Sequence, residues 1–141
     1  MNLDACLETV SHSKILLEDR KSGSRSKLYV ENPKKKSVDK IRVDDCLKFP
    51  GKQCDYAIFL PDLEIYIELK GVRVKDAIDQ LRNTILNISR DHRKMAKRAI
   101  VVCSCVTPKA RTIKQTEQMK FKKDHSAKLE VGSGNQHTIT I

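Results

Sequence analysis

The sequence predicts a single α/β domain, a mixed β-sheet flanked by helices. Three observations lead to it. Short strand-like runs bounded by turn residues crowd residues 28–70. Val74, Ala77, Ile78, Leu81, Ile85 and Ile88 then recur at helical spacing, giving one apolar stripe to face a sheet. "RAIVVCSCV" (98–106) is almost wholly apolar, which suits a central strand covered on both faces and parallel to its neighbour. A chain of 141 residues fits one such domain, spanning 1–141.

Each element has its own signal. Leu3, Cys6, Leu7, Val10, Ile15 and Leu16 follow a helical pattern and predict a first helix over 3–19. "RKSGSRSK" (20–27) is a polar, basic loop. Residues 28–49 hold a short strand, a basic turn at Lys34, Lys35 and Lys36, and a second strand alternating Ile41 and Val43. "PGKQ" (50–53) reads as a turn. "CDYAIFL" (54–60) and "IYIELK" (65–70) are two strands joined by "PDLE". The main helix and the buried strand follow. Thr107 as N-cap and Pro108 at the first helical position then open a last helix. "AKLEVGSGNQHTITI" closes the chain as two short strands around a Gly-Ser-Gly-Asn turn, read as a β-hairpin. The predicted order is α-β-β-β-α-β-α and a hairpin.

Charge is the strongest global clue. Lys and Arg total 28 against 18 acids, for a net charge of +10, which suggests a polyanionic partner. Nucleic acid is expected ahead of an acidic membrane surface. Aromatic residues are only 4% and tryptophan is absent, which argues against a base-stacking platform for single strands. Contact with a duplex or branched backbone is the better expectation, with Lys34, Lys35, Lys36, Arg90, Arg93 and Lys94 as candidate phosphate contacts. The loop at 20–27 and Arg82, Lys97 and Arg98 add to the basic clusters. No segment has the apolar length to span a bilayer, and the N-terminus lacks a secretory signal's basic flank and apolar run, so a cytoplasmic protein is expected. The five cysteines form no CxxC pair and the four histidines are scattered. The cysteines are therefore read as small core residues in a reducing cytosol rather than a zinc site.

One stretch resists a purely structural reading. In "EIYIELKG" (64–71), Ile65, Ile67 and Leu69 share one strand face, while Tyr66, Glu68 and Lys70 share the other. Charge beside a core strand costs free energy unless it is paired or binds a metal. Asp55 stands at the start of the preceding strand. A hairpin with Leu60 opposite Ile65 would place Asp55 across from Lys70 and Ala57 across from Glu68, whereas a one-residue slip would send Asp55 to the opposite face. Two carboxylates beside an ammonium suit Mg²⁺, for which Mn²⁺ can substitute, held by hard oxygens that include the Leu69 carbonyl. Such a metal activates water and stabilises charge on a phosphate, and the lysine can position the water. The bland alternative is a surface strand with an Asp55–Lys70 ion pair, worth little energetically.

"CDYAIFLPDLEIYIELKG" resembles the core motif of the PD-(D/E)XK, restriction-endonuclease-like, nuclease superfamily: an Asp, a spacer spanning a strand turn, then Glu-x-Lys. The predicted order also resembles its αβββαβ core. Cys54 stands where that motif often has proline. The resemblance implies metal ligation by Asp55 and Glu68 and assistance by Lys70. It places Gln80, on the helix after the third strand, among the catalytic residues. It implies a further metal-assisting Glu on the first helix, with Glu8 the first candidate and Glu18 the second. The implied activity is Mg²⁺-dependent hydrolysis of DNA phosphodiester bonds, as in small resolvases or defence nucleases, with a homodimer expected for a resolvase. A non-catalytic nucleic-acid-binding subunit of the same fold and an RNA-cleaving, toxin-like nuclease are the competing readings.

Overall fold

The computed structural model describes residues 2–19, 25–71, 73–104 and 107–141, with backbone alone for Lys70 and Gly71. After a short 3-10 turn at Asp4–Cys6 come β1 (Leu7–Val10), β2 (Lys14–Glu18), β3 (Lys27–Glu31), β4 (Val38–Arg42), β5 (Tyr56–Leu60) and β6 (Leu63–Gly71). Then follow α1 (Val74–Ile88), β7 (Lys97–Cys103), α2 (Pro108–His125), β8 (Ala127–Gly132) and β9 (Gln136–Thr140).

Six strands form one mixed sheet in the order β1-β4-β5-β6-β7-β8. Neighbours from β1 to β6 are antiparallel, and β7 and β8 run parallel to β6. The crossover from β6 to β7 is made by α1, as a parallel connection requires. A second sheet, β2-β3-β9, covers the other face. The layers are therefore helices, large sheet and small sheet, with an apolar core on each side of the large sheet. One core packs Ala57, Tyr66, Ala99 and Val101 against Ala77, Ile78, Leu81 and Phe121 of the helices. The other packs Ile58, Ile65, Ile67 and Ile100 against Ile15, Leu17, Leu28 and Ile139.

The α/β domain, the main helix and the parallel central strand match expectation. Thr107 does cap α2, its hydroxyl accepting from Ala110 N–H (3.1 Å), with Pro108 in the first turn. Three expectations are corrected. Residues 3–19 do not form a helix but the 3-10 turn, β1 and β2. The helical reading needed Leu16 inside, yet Leu16 is 41% exposed while Ile15 and Leu17 are buried, a strand alternation. The leading helix of an αβββαβ core is thus not formed by these residues. At the C-terminus β8 and β9 do flank a turn, with Gly134 and Asn135 at positive φ. They are not a hairpin: β8 joins the large sheet beside β7, while β9 pairs in parallel with β3. Lastly, Cys6 and Cys46 form a disulfide with a Cα–Cα distance of 5.7 Å. Cysteine usage therefore gives no argument for a reducing compartment. Cys54 and Cys103 are buried free thiols, and Cys105 lies outside the described residues. Among the described residues, no helix is long and apolar enough to cross a membrane.

Candidate active site

The β5–β6 hairpin decides what Asp55 can meet. Its register pairs Leu60 with Leu63, Ala57 with Tyr66 and Tyr56 with Ile67. This corrects the expected pairing by two residues, because the loop is only Pro61 and Asp62. Pro61 fixes a negative φ and suits a tight unprimed turn. A shift of two preserves the strand face, so Asp55 still approaches β6 on the side of Glu68 rather than slipping away from it.

Asp55 extends β5 by one residue. Its N–H donates to the Ile67 carbonyl (3.0 Å), and its carbonyl accepts from Val43 N–H (3.0 Å). Its Oδ2 accepts from the Leu69 N–H at 2.8 Å. The Asp55 carboxyl lies close enough to that of Glu68 for the two to interact. Glu68 is 1% exposed, on the helix-facing side of the sheet beside Val101. Burial pushes the Asp55 carboxyl above its usual value; the Asp19 and Asp44 charges add to this, while the Glu68 interaction and the Leu69 amide work against it. A pair of carboxyls so close retains a proton that each alone would lose.

The loop that delivers Asp55 is clamped by α1. Cys54 N–H donates to Thr84 Oγ1 (2.9 Å), whose hydroxyl donates on to the Gln80 carbonyl (2.8 Å). Gln80 Nε2 donates to the Gln53 carbonyl at 3.2 Å. Gln80 thus reaches the loop two residues before Asp55, and the contact it makes is one of positioning. Cys54 itself remains a thiol, since burial drives its pKa far up.

A cleft of about 380 Å³ opens beside Asp55, lined also by Glu18, Asp19, Asp44, Asp45, Lys40, Arg42 and Tyr56. It collects five carboxylates and two cations in a chain whose net charge is +10. Glu18, at the end of β2, is therefore in the neighbourhood of Asp55. Glu8 is not: it sits exposed on the edge strand β1 opposite Lys40, with β4 and β5 between it and β6, and it does not line the cleft. The misread helix had placed it wrongly. Asp19, Asp44 and Asp45 went unnoticed in the sequence, although the short acidic clusters "LED" and "VDD" were a signal in so basic a chain. Among the described residues, no three His, Cys, Asp or Glu side chains converge as a ready metal cluster. Lys70 follows in β6, where pairing with β7 is irregular between Glu68 and Gly71; its side chain lies outside the described residues.

The opposite end of β6 carries a different carboxylate. Glu64 is fully buried and accepts from Tyr66 Oη (2.8 Å), Ser89 Oγ (2.6 Å), Arg90 N–H (3.0 Å) and Arg90 Nε (2.9 Å). Burial alone raises its pKa, but these donors outweigh it and hold the carboxyl below its usual value. Arg90 is committed to this network and also lies over the Phe59 ring at 4.8 Å. Other basic residues are similarly occupied: Arg82 pairs with Glu117, Arg98 makes a bidentate pair with Glu130, and Lys97 donates to three backbone carbonyls. Arg93 and Lys94 are exposed, as are Lys34, Lys35 and Lys36. Both groups lie toward the Glu64 end of the sheet, since Val38 opens β4 near Leu60 and Lys97 opens β7 beside Glu64. They are therefore distant from Asp55 and Glu68.

No known protein family, curated protein or solved structure matches the chain significantly.

Proposed function

We propose that the chain is a Mg²⁺-dependent nuclease of the PD-(D/E)XK type that hydrolyses DNA phosphodiester bonds. The observation that carries this reading is the approach of Asp55 and Glu68, two carboxyls on adjoining strands, with Asp55 also lining an acidic cleft. The donors suit the ion: both are hard oxygens, and a pair that must otherwise retain a proton gains from a divalent cation. Asp55 and Glu68 would hold it, with the Leu69 carbonyl as a further oxygen nearby. When bound, such an ion lowers the pKa of a coordinated water and offsets charge on a phosphate. The chain's own part is positioning. The Leu69 N–H holds one Asp55 oxygen, and Gln80 and Thr84 fix the preceding loop through its backbone. Lys70 is the residue assigned to orienting the attacking water, and Glu18 replaces Glu8 as the nearby additional acid.

The test is a panel of duplex, branched and single-stranded DNA and of RNA, incubated with the protein in Mg²⁺ or EDTA. Cleavage of DNA in Mg²⁺ alone, lost in a Glu68→Ala, Lys70→Ala variant, is the expected result. Preferential cleavage of RNA would identify the toxin-like alternative. Salt-sensitive binding without turnover would identify a binding subunit.

A further inference from the structure

We infer that the outer face of α2 is a docking surface for the phosphate backbone of a duplex nucleic acid. The inference rests on the nucleic-acid reading above and names how that partner is held. α2 buries only Ala110, Phe121 and His125, so most of its circumference faces outward. At 100° per residue, Arg111 and Lys122 fall on one ridge and Lys109 and Lys123 on another, with Thr112, Gln115, Thr116 and Met119 between them. All four cations are exposed. They take part in no ion pair among the described residues, unlike Arg82, Arg90 and Arg98. The ridges extend over about 16–21 Å along the helix axis at 1.5 Å per residue. That length covers about five or six base-pair steps of a duplex axis at about 3.4 Å each.

Helix stability does not account for this pattern. Lys122 and Lys123 lie in the last turn, where cations offset the helix dipole. Lys109 and Arg111 lie in the first turn, which has no acid, and there the dipole disfavours positive charge. A partner's charge does account for both ends. An anionic membrane fits less well, because Met119 is the one large apolar residue exposed on this helix.

The surface continues past the helix end. Ser126 Oγ donates to the Arg93 carbonyl (2.7 Å), which fixes the exposed Arg93 and Lys94 loop beside α2. A recess of about 440 Å³ there is lined by Arg82, His92, Arg93, Lys123, Asp124 and His125. The Nδ1 of His92 is buried with no hydrogen-bond partner among the described residues. The Arg93 and Lys123 charges there, beside the single Asp124 carboxylate, extend the basic surface past the helix end.

The experiment is fluorescence anisotropy of a labelled 20-base-pair DNA duplex against the full chain in EDTA, at several salt concentrations. The comparison is with K109Q/R111Q/K122Q/K123Q, and circular dichroism confirms that the variant is folded. Each neutralised phosphate adds about 0.9 to the salt slope, so the variant is expected to bind at least tenfold more weakly with a slope about 3–4 smaller. K109R/K122R/K123R is expected to bind as wild type does. Unchanged affinity and slope in the glutamine variant, or preference of these residues for phosphatidylserine vesicles over DNA, overturns the inference. Binding through α2 without any cleavage upholds it and refutes the nuclease reading. Cleavage with α2 dispensable for binding does the reverse.

Discussion

Asp55→Asn is expected to stabilise the metal-free protein while removing its activity. Asparagine keeps the acceptor for Leu69 N–H and supplies a donor to Glu68, so geometry is preserved and only charge is lost. Two ionised carboxylates about 4 Å apart repel by about 4 kcal/mol at an effective dielectric of about 20. The Leu69 amide, the open cleft and the retained proton offset part of this, leaving a gain of about 1–2 kcal/mol at pH 7. For a chain of this size that is a rise in Tm of about 3–8 °C. The sign follows from linkage. Asp55 titrates above its usual 3.8 in the fold, so stability falls as pH rises from 3.8 through the folded pKa and is level beyond it. The advantage of the asparagine variant therefore grows over that window and is complete at neutral pH. Thermal unfolding in EDTA from pH 3.5 to pH 8 measures it. Saturating Mg²⁺ should raise the Tm of wild type and leave the variant nearly unmoved. A variant less stable than wild type at pH 7, or a difference that does not change with pH, refutes the reasoning.

Glu64→Ala removes the acceptor for four donors and leaves Arg90 without its carboxylate; a loss of about 3–5 kcal/mol in urea unfolding is expected. Because Glu64 titrates below its usual 4.5, the stability it contributes is present above that pH and is lost as pH falls through its folded pKa, so the alanine variant should show a weaker acid transition. Thr84→Val leaves the Cys54 N–H buried without its acceptor; a cost of about 1–3 kcal/mol is expected, with weaker Mg²⁺ stabilisation of the folded protein because the loop before Asp55 loosens. The Cys6–Cys46 bridge spans 40 positions, so reduction, or replacement of both residues by serine, should cost about 3–4 kcal/mol by the chain-entropy relation, read as a fall in Tm with dithiothreitol that the serine variant does not show.

Where a single face decided the structure, the residues were legible. The stripe from Val74 to Ile88 needed only one sheet to pack on, and α1 lies where its period placed it. The apolar run from Ala99 to Cys103 needed cover on both sides, and it has helices on one and β9 and β3 on the other. Residues 3–19 suit a helix only with Leu16 inside and Leu17 outside, whereas Leu17 is buried and paired with Leu28 and Leu16 is exposed. A strand's partners lie far along the chain, and local periodicity does not contain them. The same holds for the C-terminus, where β9 reaches β3 across more than a hundred residues rather than folding back on β8. At the site, the types and faces of Asp55 and Glu68 were readable, whereas the register was set by the two-residue turn at Pro61 and Asp62. The acidic cleft was not readable, because it joins the end of β2 to the β4–β5 loop only once two sheets have packed.

The most direct test of the Asp55–Glu68 pair as a metal centre is anomalous diffraction from a crystal soaked in Mn²⁺. A single strong peak within coordination distance of both carboxylates, absent in crystals of Asp55→Asn, is the predicted result. A peak held by other residues, or none between Asp55 and Glu68 at saturating Mn²⁺, contradicts it.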